Sequence, residues 1–307
     1  MKNAFYLSMI GIILPMFIHA QWIPQATAFK ERRGLWDISI ANENTVWALA
    51  YRASGGIYAS VPEITKTVNG GNTWTVGAFP SGFQWGSISA ISDQIAWVIA
   101  TNYNVGGAAI FKTSDGGNIW KQQGRDEIYD LNSSANFVHF WDANIGVAFG
   151  DPNSGEFEIY TTVDGGDHWT IVPPDAIPDP LPNEYGNWRY CTVGNDIWIA
   201  TNQYRIFHSA DKGLTWSLIE TGIPLVESIQ WIDVVFWNQN EGLARLMEWR
   251  TGDNILVLRT DDGGKTWNEV NYTGTLFGSS LCGITYVPGT TSTLISTSIQ
   301  RNTPIGS

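Results

Sequence analysis

Short apolar runs alternate along this chain with polar or glycine-containing turns. In one stretch the runs are Gly86–Ile91, Ile95–Ala100, Ala108–Thr113 and Ile119–Gln122, and Ser92-Asp93-Gln94 separates the first two. Runs of this length, rich in β-branched and aromatic residues and bounded by turn residues, are typical of strands. The pattern therefore predicts four short antiparallel strands in this stretch.

The same order of runs occurs in four other stretches, which begin near Trp36, Phe137, Trp188 and Trp231. Four antiparallel strands in each unit of roughly 40–50 residues is the plan of a propeller blade. We therefore predict an all-β fold, a β-propeller of four-stranded antiparallel blades, with five complete blades.

An eight-residue segment recurs between the third and fourth run of every stretch. It reads Ser or Thr, any residue, Asp or Asn, any residue, Gly, any two residues, Trp. The copies place Asn69, Asp115, Asp164, Asp211 and Asp262 at the third position and Trp74, Trp120, Trp169, Trp216 and Trp267 at the last. The tryptophans are spaced by 46, 49, 47 and 51 residues. A regular period of this size indicates a repeat array or a propeller.

The composition of this segment suits a hairpin turn. A short Asp or Asn side chain accepts hydrogen bonds from nearby backbone N–H groups, glycine adopts the positive φ that the turn needs, and tryptophan buries apolar surface in the next strand. We interpret these aspartates as structural. The alternative is a metal-binding loop, but the ligand pattern of a calcium-binding hand is missing.

The five segments resemble the Asp boxes, or BNR repeats, of the sialidase-like β-propeller superfamily. That superfamily contains sialidases, xyloglucanase-type glycosidases, sortilin-type receptors and propellers like the photosystem II assembly factor. The resemblance covers about Gln21 to the end of the chain and implies the propeller fold. It implies little about function, because one fold hosts many functions.

Composition and charge limit the kinds of partner that this protein is expected to bind. The 307 residues are 43% hydrophobic and 15% charged, and the formal net charge is −12. Nucleic acids and anionic membrane surfaces favour basic patches, so the acidic balance argues against both as partners. We expect no membrane insertion once the N-terminal segment is removed, and we expect a monomer.

The first twenty residues have the features of a secretory signal. Lys2 gives a basic start, Phe5–Ile18 is an apolar core, and Ile18-His19-Ala20 is an acceptable cleavage site. An N-terminal membrane anchor is the alternative, although the apolar run is short for a membrane span. We therefore predict a signal peptide over 1–20, a propeller over 21–307, and a secreted or cell-surface location.

The two ends of the chain carry partial blade patterns. Gln21–Pro24 resembles a fourth strand, which predicts that the mature N-terminus supplies the outer strand of the last blade and closes the ring. Ser280–Val287 and Ser292–Ile299 resemble the first two strands of a sixth blade. These patterns predict a partial sixth blade, cut short by the end of the sequence, and an intact protein with six or seven blades.

Few residues are suited to bind a metal or a cofactor. Cys191 and Cys282 fit no metal motif, and we expect free buried thiols. His139, His168 and His208 occur singly in strand or turn contexts, for which a structural role is the better interpretation. We expect neither a metal nor a cofactor.

The longer predicted loops, among them Ala53–Glu63, fall on the rim opposite the Asp boxes. Trp36, Trp85, Trp188 and Trp231 stand at or just before the start of a first strand, so they would surround the channel mouth on this loop rim. Aromatic rings beside carboxylates suit a sugar-binding cleft, and Asp151 and Glu184 are candidate ligand-binding acids there. The alternative is that these tryptophans pack between blades and that the acids are solvated or form turns.

The catalytic residues of the related enzymes are not recognisable. Sialidases of this fold carry an Arg-Ile-Pro motif and an arginine triad, and neither is evident here. We therefore assign no catalytic residue and predict a secreted, non-catalytic propeller that binds a glycan or an extracellular protein through the loop rim. The alternative is a sialidase- or xyloglucanase-like glycoside hydrolase that uses two loop-rim carboxylates.

Overall fold

The computed structural model describes residues 25–54, 57–102, 106–125, 127–223, 229–248, 254–270, 281–286 and 294–298. Within these residues the chain forms five four-stranded antiparallel sheets and one two-stranded sheet. In every complete sheet the strands pair in sequence order. The predicted β-propeller with five full blades and a partial sixth is thereby confirmed.

Blade one contains β1 (Arg33–Ile40), β2 (Val46–Ser54), β3 (Ile57–Thr67) and β4 (Thr75–Ala78), and blade two contains β5 (Gln84–Ala90), β6 (Ala96–Thr101), β7 (Ala108–Thr113) and β8 (Lys121–Gln123). Blade three contains β9 (Ala135–Phe140), β10 (Gly146–Asn153), β11 (Glu156–Thr162) and β12 (Thr170–Ile171), and blade four contains β13 (Gly186–Val193), β14 (Asp196–Thr201), β15 (Arg205–Ser209) and β16 (Ser217–Glu220). Blade five contains β17 (Ile229–Phe236), β18 (Gly242–Glu248), β19 (Asn254–Thr260) and β20 (Asn268–Glu269), and the partial blade contains β21 (Leu281–Tyr286) and β22 (Leu294–Ser298). A short 3-10 helix, Pro174–Ala176, lies between blades three and four.

One predicted loop is part of a hairpin. We expected a loop over Ala53–Glu63, but β2 and β3 pair as far as Ser54 and Ile57. The residues after Gly55-Gly56 are rich in β-branched and aromatic side chains, and a Gly-Gly pair is a two-residue hairpin signal. The hairpin was therefore readable from the sequence.

The Asp boxes form nearly identical hydrogen-bonded turns. In blade five, Thr260 donates its hydroxyl to Asp262 Oδ1 (2.9 Å), Gly264 N donates to Thr260 Oγ1 (2.8 Å), and Thr266 N donates to Asp262 Oδ1 (2.9 Å). The other four boxes repeat these three bonds with distances between 2.8 and 3.0 Å. In every copy the side chain at the third position accepts a backbone hydrogen bond from the residue four positions later.

Each box turn is also attached to the turn between the first and second strands of its own blade. The residue before the box glycine donates its backbone N–H to that turn, as Gly263 does to Asn240 (2.8 Å). Four boxes have glycine at this position with positive φ, whereas blade four has Lys212 at φ 63°. The contact fixes the box turns and the first hairpin turns on one edge of the propeller, called here the box rim.

The cores lie between neighbouring blades. The box tryptophans immediately precede the fourth strands, and Trp169 and Trp216 are buried. Trp97 of blade two stacks on Phe140 of blade three with centroids 3.5 Å apart. Because each blade buries one face against the next, the blade order is fixed by side-chain packing.

The innermost strands are joined by side chains that accept backbone hydrogen bonds. Asp37 Oδ2 accepts from Ile88 N (2.8 Å), and Ser89 Oγ accepts from Phe140 N (2.9 Å). Cys191 Sγ accepts from Phe236 N (3.1 Å) at the junction of blades four and five. These bonds fix the height of each blade relative to its neighbour.

The predicted signal peptide and the strand at 21–24 lie outside the described residues. Gln25 follows them and accepts a hydrogen bond from Trp74 Nε1 through Oε1 (3.2 Å). Its side chain adjoins Gly71, as Ile219 of blade four adjoins Gly264 of blade five. Within the described ranges, no helix is both long and apolar enough to cross a membrane.

Replacing a box aspartate removes an acceptor from the turn. We expect Asp164→Ala to lower the free energy of unfolding by about 1 kcal/mol, the usual effect of losing a side-chain cap on backbone N–H groups. Asp167→Ala is the matched control, because Asp167 lies exposed in the same turn without a side-chain hydrogen bond in the described structure. Urea unfolding of the two variants measures the difference, and equal losses would contradict the structural role.

Hydrogen bonding also makes the boxes sensitive to acid. Backbone N–H donation lowers the pKa of Asp164 and Asp262 to about 2, from the usual 3.8. Because the folded-state pKa is depressed, the contribution is complete above pH 3.8 and is lost as pH falls towards 2. We expect Asp164→Asn to reduce the loss of stability across this interval, since Asn69 makes the same backbone bonds without titrating. Thermal unfolding at stepped pH is the measurement, and an unchanged acid dependence would refute it.

Candidate ligand-binding site at the loop rim

The loop rim is the edge at which the first strands begin. Bulges interrupt the pairing of several first strands close to this edge. Trp36 is skipped between Leu35 and Asp37 in β1, and the pairing of β13 breaks between Gly186 and Tyr190. Bulges change the direction in which side chains point, so these residues do not follow the regular alternation of side chains between the two faces of the sheet.

Two of the four predicted tryptophans meet at the centre of the loop rim. The ring centroids of Trp36 in blade one and Trp188 in blade four are 5.9 Å apart, with planes at 53°. The residues are 36% and 44% exposed. Trp36 also donates from Nε1 to Gly86 O of blade two (3.0 Å). The pair thus combines inter-blade packing with an exposed aromatic surface.

The other two predicted tryptophans lie in the first strands of their blades. Trp85 is in β5 and Trp231 is in β17. Their side chains lie outside the described part of the structure. Their predicted place around the channel mouth therefore remains a prediction.

Glu184 is held inside the fold. Its Oε1 accepts from Thr201 Oγ1 (2.6 Å) and lies 3.4 Å from Arg205 Nε, and its Oε2 accepts from Leu181 N (2.8 Å). Glu184 and Arg205 are both buried. The carboxylate expected at the ligand surface thus fastens the loop before β13 onto blade four.

Asp151 has a similar structural position. Its Oδ1 accepts from Asn136 Nδ2 (2.7 Å) and from Gly186 N (3.0 Å), so it joins blade three to the start of blade four. Burial raises the pKa of this carboxyl group above its usual value. The hydrogen bonds of Asp151 and Glu184 favour a supporting role for both acids beneath the loop rim.

A polar cluster that the sequence analysis missed lies beside Asp151. Asn153 Nδ2 contacts Asp130 Oδ1 (3.2 Å) and Glu158 Oε1 (3.4 Å). Burial raises the pKa of Glu158, whereas donation from Asn132 N lowers the pKa of Asp130. Glu158 is buried and its Oε2 has no hydrogen-bond partner. Glu158 alternates with Glu156 in β11, and this pattern does not distinguish it from an ordinary strand residue.

The central channel holds a cavity of about 530 Å³ beneath the tryptophan pair. Asp37, His139, Trp188 and Arg189 line it. Burial raises the pKa of Asp37 to about 6 and lowers the pKa of His139 to about 3, so His139 is neutral at ordinary pH. Of these residues the sequence analysis selected Trp188 for the site, whereas Asp37, His139 and Arg189 could not be selected because a sequence pattern shows neither the closure of the channel nor the bulges.

Two further expectations concern the cysteine thiols and metal binding. Burial raises the pKa of Cys191 to about 11, so its thiol is protonated and belongs to the inner-strand hydrogen bonds. The side chain of Cys282 lies outside the described structure. Within the described ranges, no group of three or more histidine, cysteine, aspartate or glutamate side chains is arranged to hold a metal ion.

The chain shares its fold with solved propellers. The GH74 enzyme of Niastella koreensis is 18% identical to this chain with a TM-score of 0.55, and the match covers 77% of this chain and 38% of the enzyme. The GH74 xyloglucanase of Xanthomonas campestris is 14% identical with a TM-score of 0.51, and the match covers 78% of this chain and 38% of the xyloglucanase. YCF48 of Cyanidioschyzon merolae is 16% identical with a TM-score of 0.45, and covers 85% and 92%.

The five four-stranded sheets and the two GH74 similarities define the class of protein, a β-propeller of four-stranded blades, and nothing narrower. No protein-family model matches the sequence, and no curated protein matches it. The chain spans less than half the length of either GH74 chain. Function must therefore be argued from this chain's own residues.

The structural role of Glu184 can be tested through its partner. We expect Arg205→Met to destabilise the protein by roughly 3–5 kcal/mol, because it leaves a buried carboxylate without its counter-charge. The double variant Arg205→Met, Glu184→Leu should recover much of that loss. Chemical denaturation measures both, and a double variant as unstable as the single one would rule out the pairing.

Proposed function

We propose that this protein is a secreted, non-catalytic β-propeller that binds a glycan or an extracellular protein at the centre of its loop rim. The exposed Trp36–Trp188 pair carries the proposal. Large aromatic rings held by a rigid frame are favoured at recognition surfaces, since they bury much area at low entropic cost. The signal-like segment over 1–20 supports action outside the cytoplasm.

The contacts around the tryptophan pair hold its rings in place, so a ligand would bind to a preformed surface. Trp36 is held by its hydrogen bond to Gly86 and by an edge contact with Tyr51 at 6.5 Å between centroids. Sugar C–H groups or apolar side chains could stack on such rings without rearranging the blades. With Asp151 and Glu184 tied into the fold, aromatic contact would supply most of the affinity.

Ligand binding is tested with two single substitutions. Binding is measured on a glycan array and by capture of extracellular proteins, and we expect Trp188→Ala and Trp36→Ala each to weaken it at least tenfold. Removal of an aromatic anchor commonly costs about 2 kcal/mol or more. Trp237→Ala is the matched control, because Trp237 lies on the box rim and bonds to Glu241 (3.2 Å).

Each variant must retain the far-ultraviolet spectrum and a cooperative unfolding transition. Equal binding by all three variants would place the ligand elsewhere. Absence of binding to any extracellular polymer by the full-length protein would count against the proposal as a whole.

A glycoside hydrolase is the second candidate. The observation that favours it is the acid pair Asp130 and Glu158, which contact one amide and have pKa values shifted in opposite directions. Such divergence is typical of an acid and its partner in glycosidases, where two carboxyl groups lie about 5–10 Å apart. The buried Oε2 of Glu158 weighs against this candidate, since a substrate would have to reach it. Turnover of a polysaccharide panel that disappears in Glu158→Gln would establish it.

A further inference from the structure

Among the described residues, the lining of the channel cavity includes one cationic side chain that forms no close ion pair, although Asp37 interacts with it electrostatically. Arg189 is exposed within the cavity, and its guanidinium makes no hydrogen bond or ion pair there. The other arginine near the cavity, Arg245, is buried and paired with Asp233. A guanidinium in a concave, partly desolvated site is favourable when an anion joins it.

The main chain explains why Arg189 faces the cavity. Residues 187–189 fall within the break in β13 pairing between Gly186 and Tyr190. Neighbouring Trp188 is half-exposed at the upper end of the cavity and Tyr190 also lines it. The bulge thus places consecutive side chains along one wall, an aromatic ring and then a guanidinium.

The cavity has room for a small molecule and an opening on the box rim. It extends along the first strands to Ala41, Ile91 and Trp141, which stand at the box-rim ends of their strands. At the other end the Trp36–Trp188 pair covers it. Its volume of about 530 Å³ falls within the range of small-ligand pockets, about 300–1,000 Å³. A ligand would therefore enter from the rim opposite the proposed recognition surface.

We propose that the central channel is a second binding site, which takes a small organic carboxylate from the box rim and pairs it with Arg189. Arginine matches a carboxylate through two parallel N–H donors. Ile38 and Ile40, both exposed on the channel wall, offer an apolar surface to the rest of the ligand. This site goes beyond the proposed function and is independent of the loop rim.

Asp37 lies opposite and makes the site sensitive to pH. Its carboxyl group has a pKa of about 6 and interacts electrostatically with Arg189. Below pH 6 it is mostly neutral, and above pH 6 its negative charge competes with an incoming anion. Of the other titratable groups in the lining, His139 is neutral and Tyr190 has a raised pKa, so neither changes charge in this range, and Asp233 forms an ion pair with Arg245. Affinity for a carboxylate should therefore decrease as pH rises from about 5 to about 7.

The test compares carboxylates with their neutral amides. The probes are acetate, lactate and D-glucuronate, each paired with acetamide, lactamide or D-glucuronamide, and calorimetry or saturation-transfer NMR measures binding at pH 5 and pH 7. We expect at least one carboxylate to bind at least tenfold more tightly than its amide at pH 5. Arg189→Gln should abolish this preference and Arg189→Lys should retain part of it.

Two controls separate this site from general effects. Arg52→Gln removes an exposed arginine of β2 that is outside the cavity lining and should leave binding unchanged. Asp37→Asn should remove the pH dependence while retaining an acceptor for Ile88 N.

Some results would overturn the proposal. They are no preference for any carboxylate, or a preference that survives Arg189→Gln. Loss of rim binding in Trp36→Ala, which is outside the cavity lining, with the carboxylate preference intact would support a separate channel site. If the channel fails this test while glycans or proteins still bind at the rim, the proposed function stands and the channel inference alone is rejected.

Discussion

The bonds made by one short side chain at the third position of each box hold the outer edge of the propeller together. An oxygen of Asp or Asn accepts the N–H four residues later, and the preceding Ser or Thr hydroxyl closes the turn from the other side. The same turn bonds to the first hairpin of its blade. Backbone groups that would otherwise be unpaired at the rim are thus satisfied within each blade. The bonds that close each box turn are therefore local to its own blade.

The inner edge relies on a different device, which bears directly on the channel. Side chains of one first strand accept N–H groups of the next, and blades two and four use serine and cysteine for this, whereas blade one includes Asp37. A carboxylate in that place introduces a titratable group into the channel wall. Backbone N–H groups only partly compensate for its burial, so the pKa of Asp37 is raised to about 6. The channel thereby gains chemistry while the stacking of blades is preserved.

The sequence was sufficient for the fold because its strongest features are local and repeated. The hydrogen bonds that close each box turn join residues within the eight-residue segment, so the five copies could be recognised without knowing the tertiary structure. The site could be predicted only in part. Trp36 and Trp188 were selected, yet their meeting across the channel depends on bulges in β1 and β13. The pairing of Glu184 with Arg205 and the exposure of Arg189 depend on loops and strands that no periodic pattern determines.

On both rims, acidic side chains already form hydrogen bonds inside the fold. On the box rim the aspartates serve the turns, and on the loop rim Asp151 and Glu184 are occupied by internal hydrogen bonds. Acidic residues, although numerous in this chain, are therefore weak guides to its ligands. The Trp36–Trp188 pair and the Arg189 guanidinium are better guides, because these side chains are exposed to a possible ligand. Both depend on irregular pairing near the start of a first strand, so recognition in this propeller is concentrated where its blades depart from regularity.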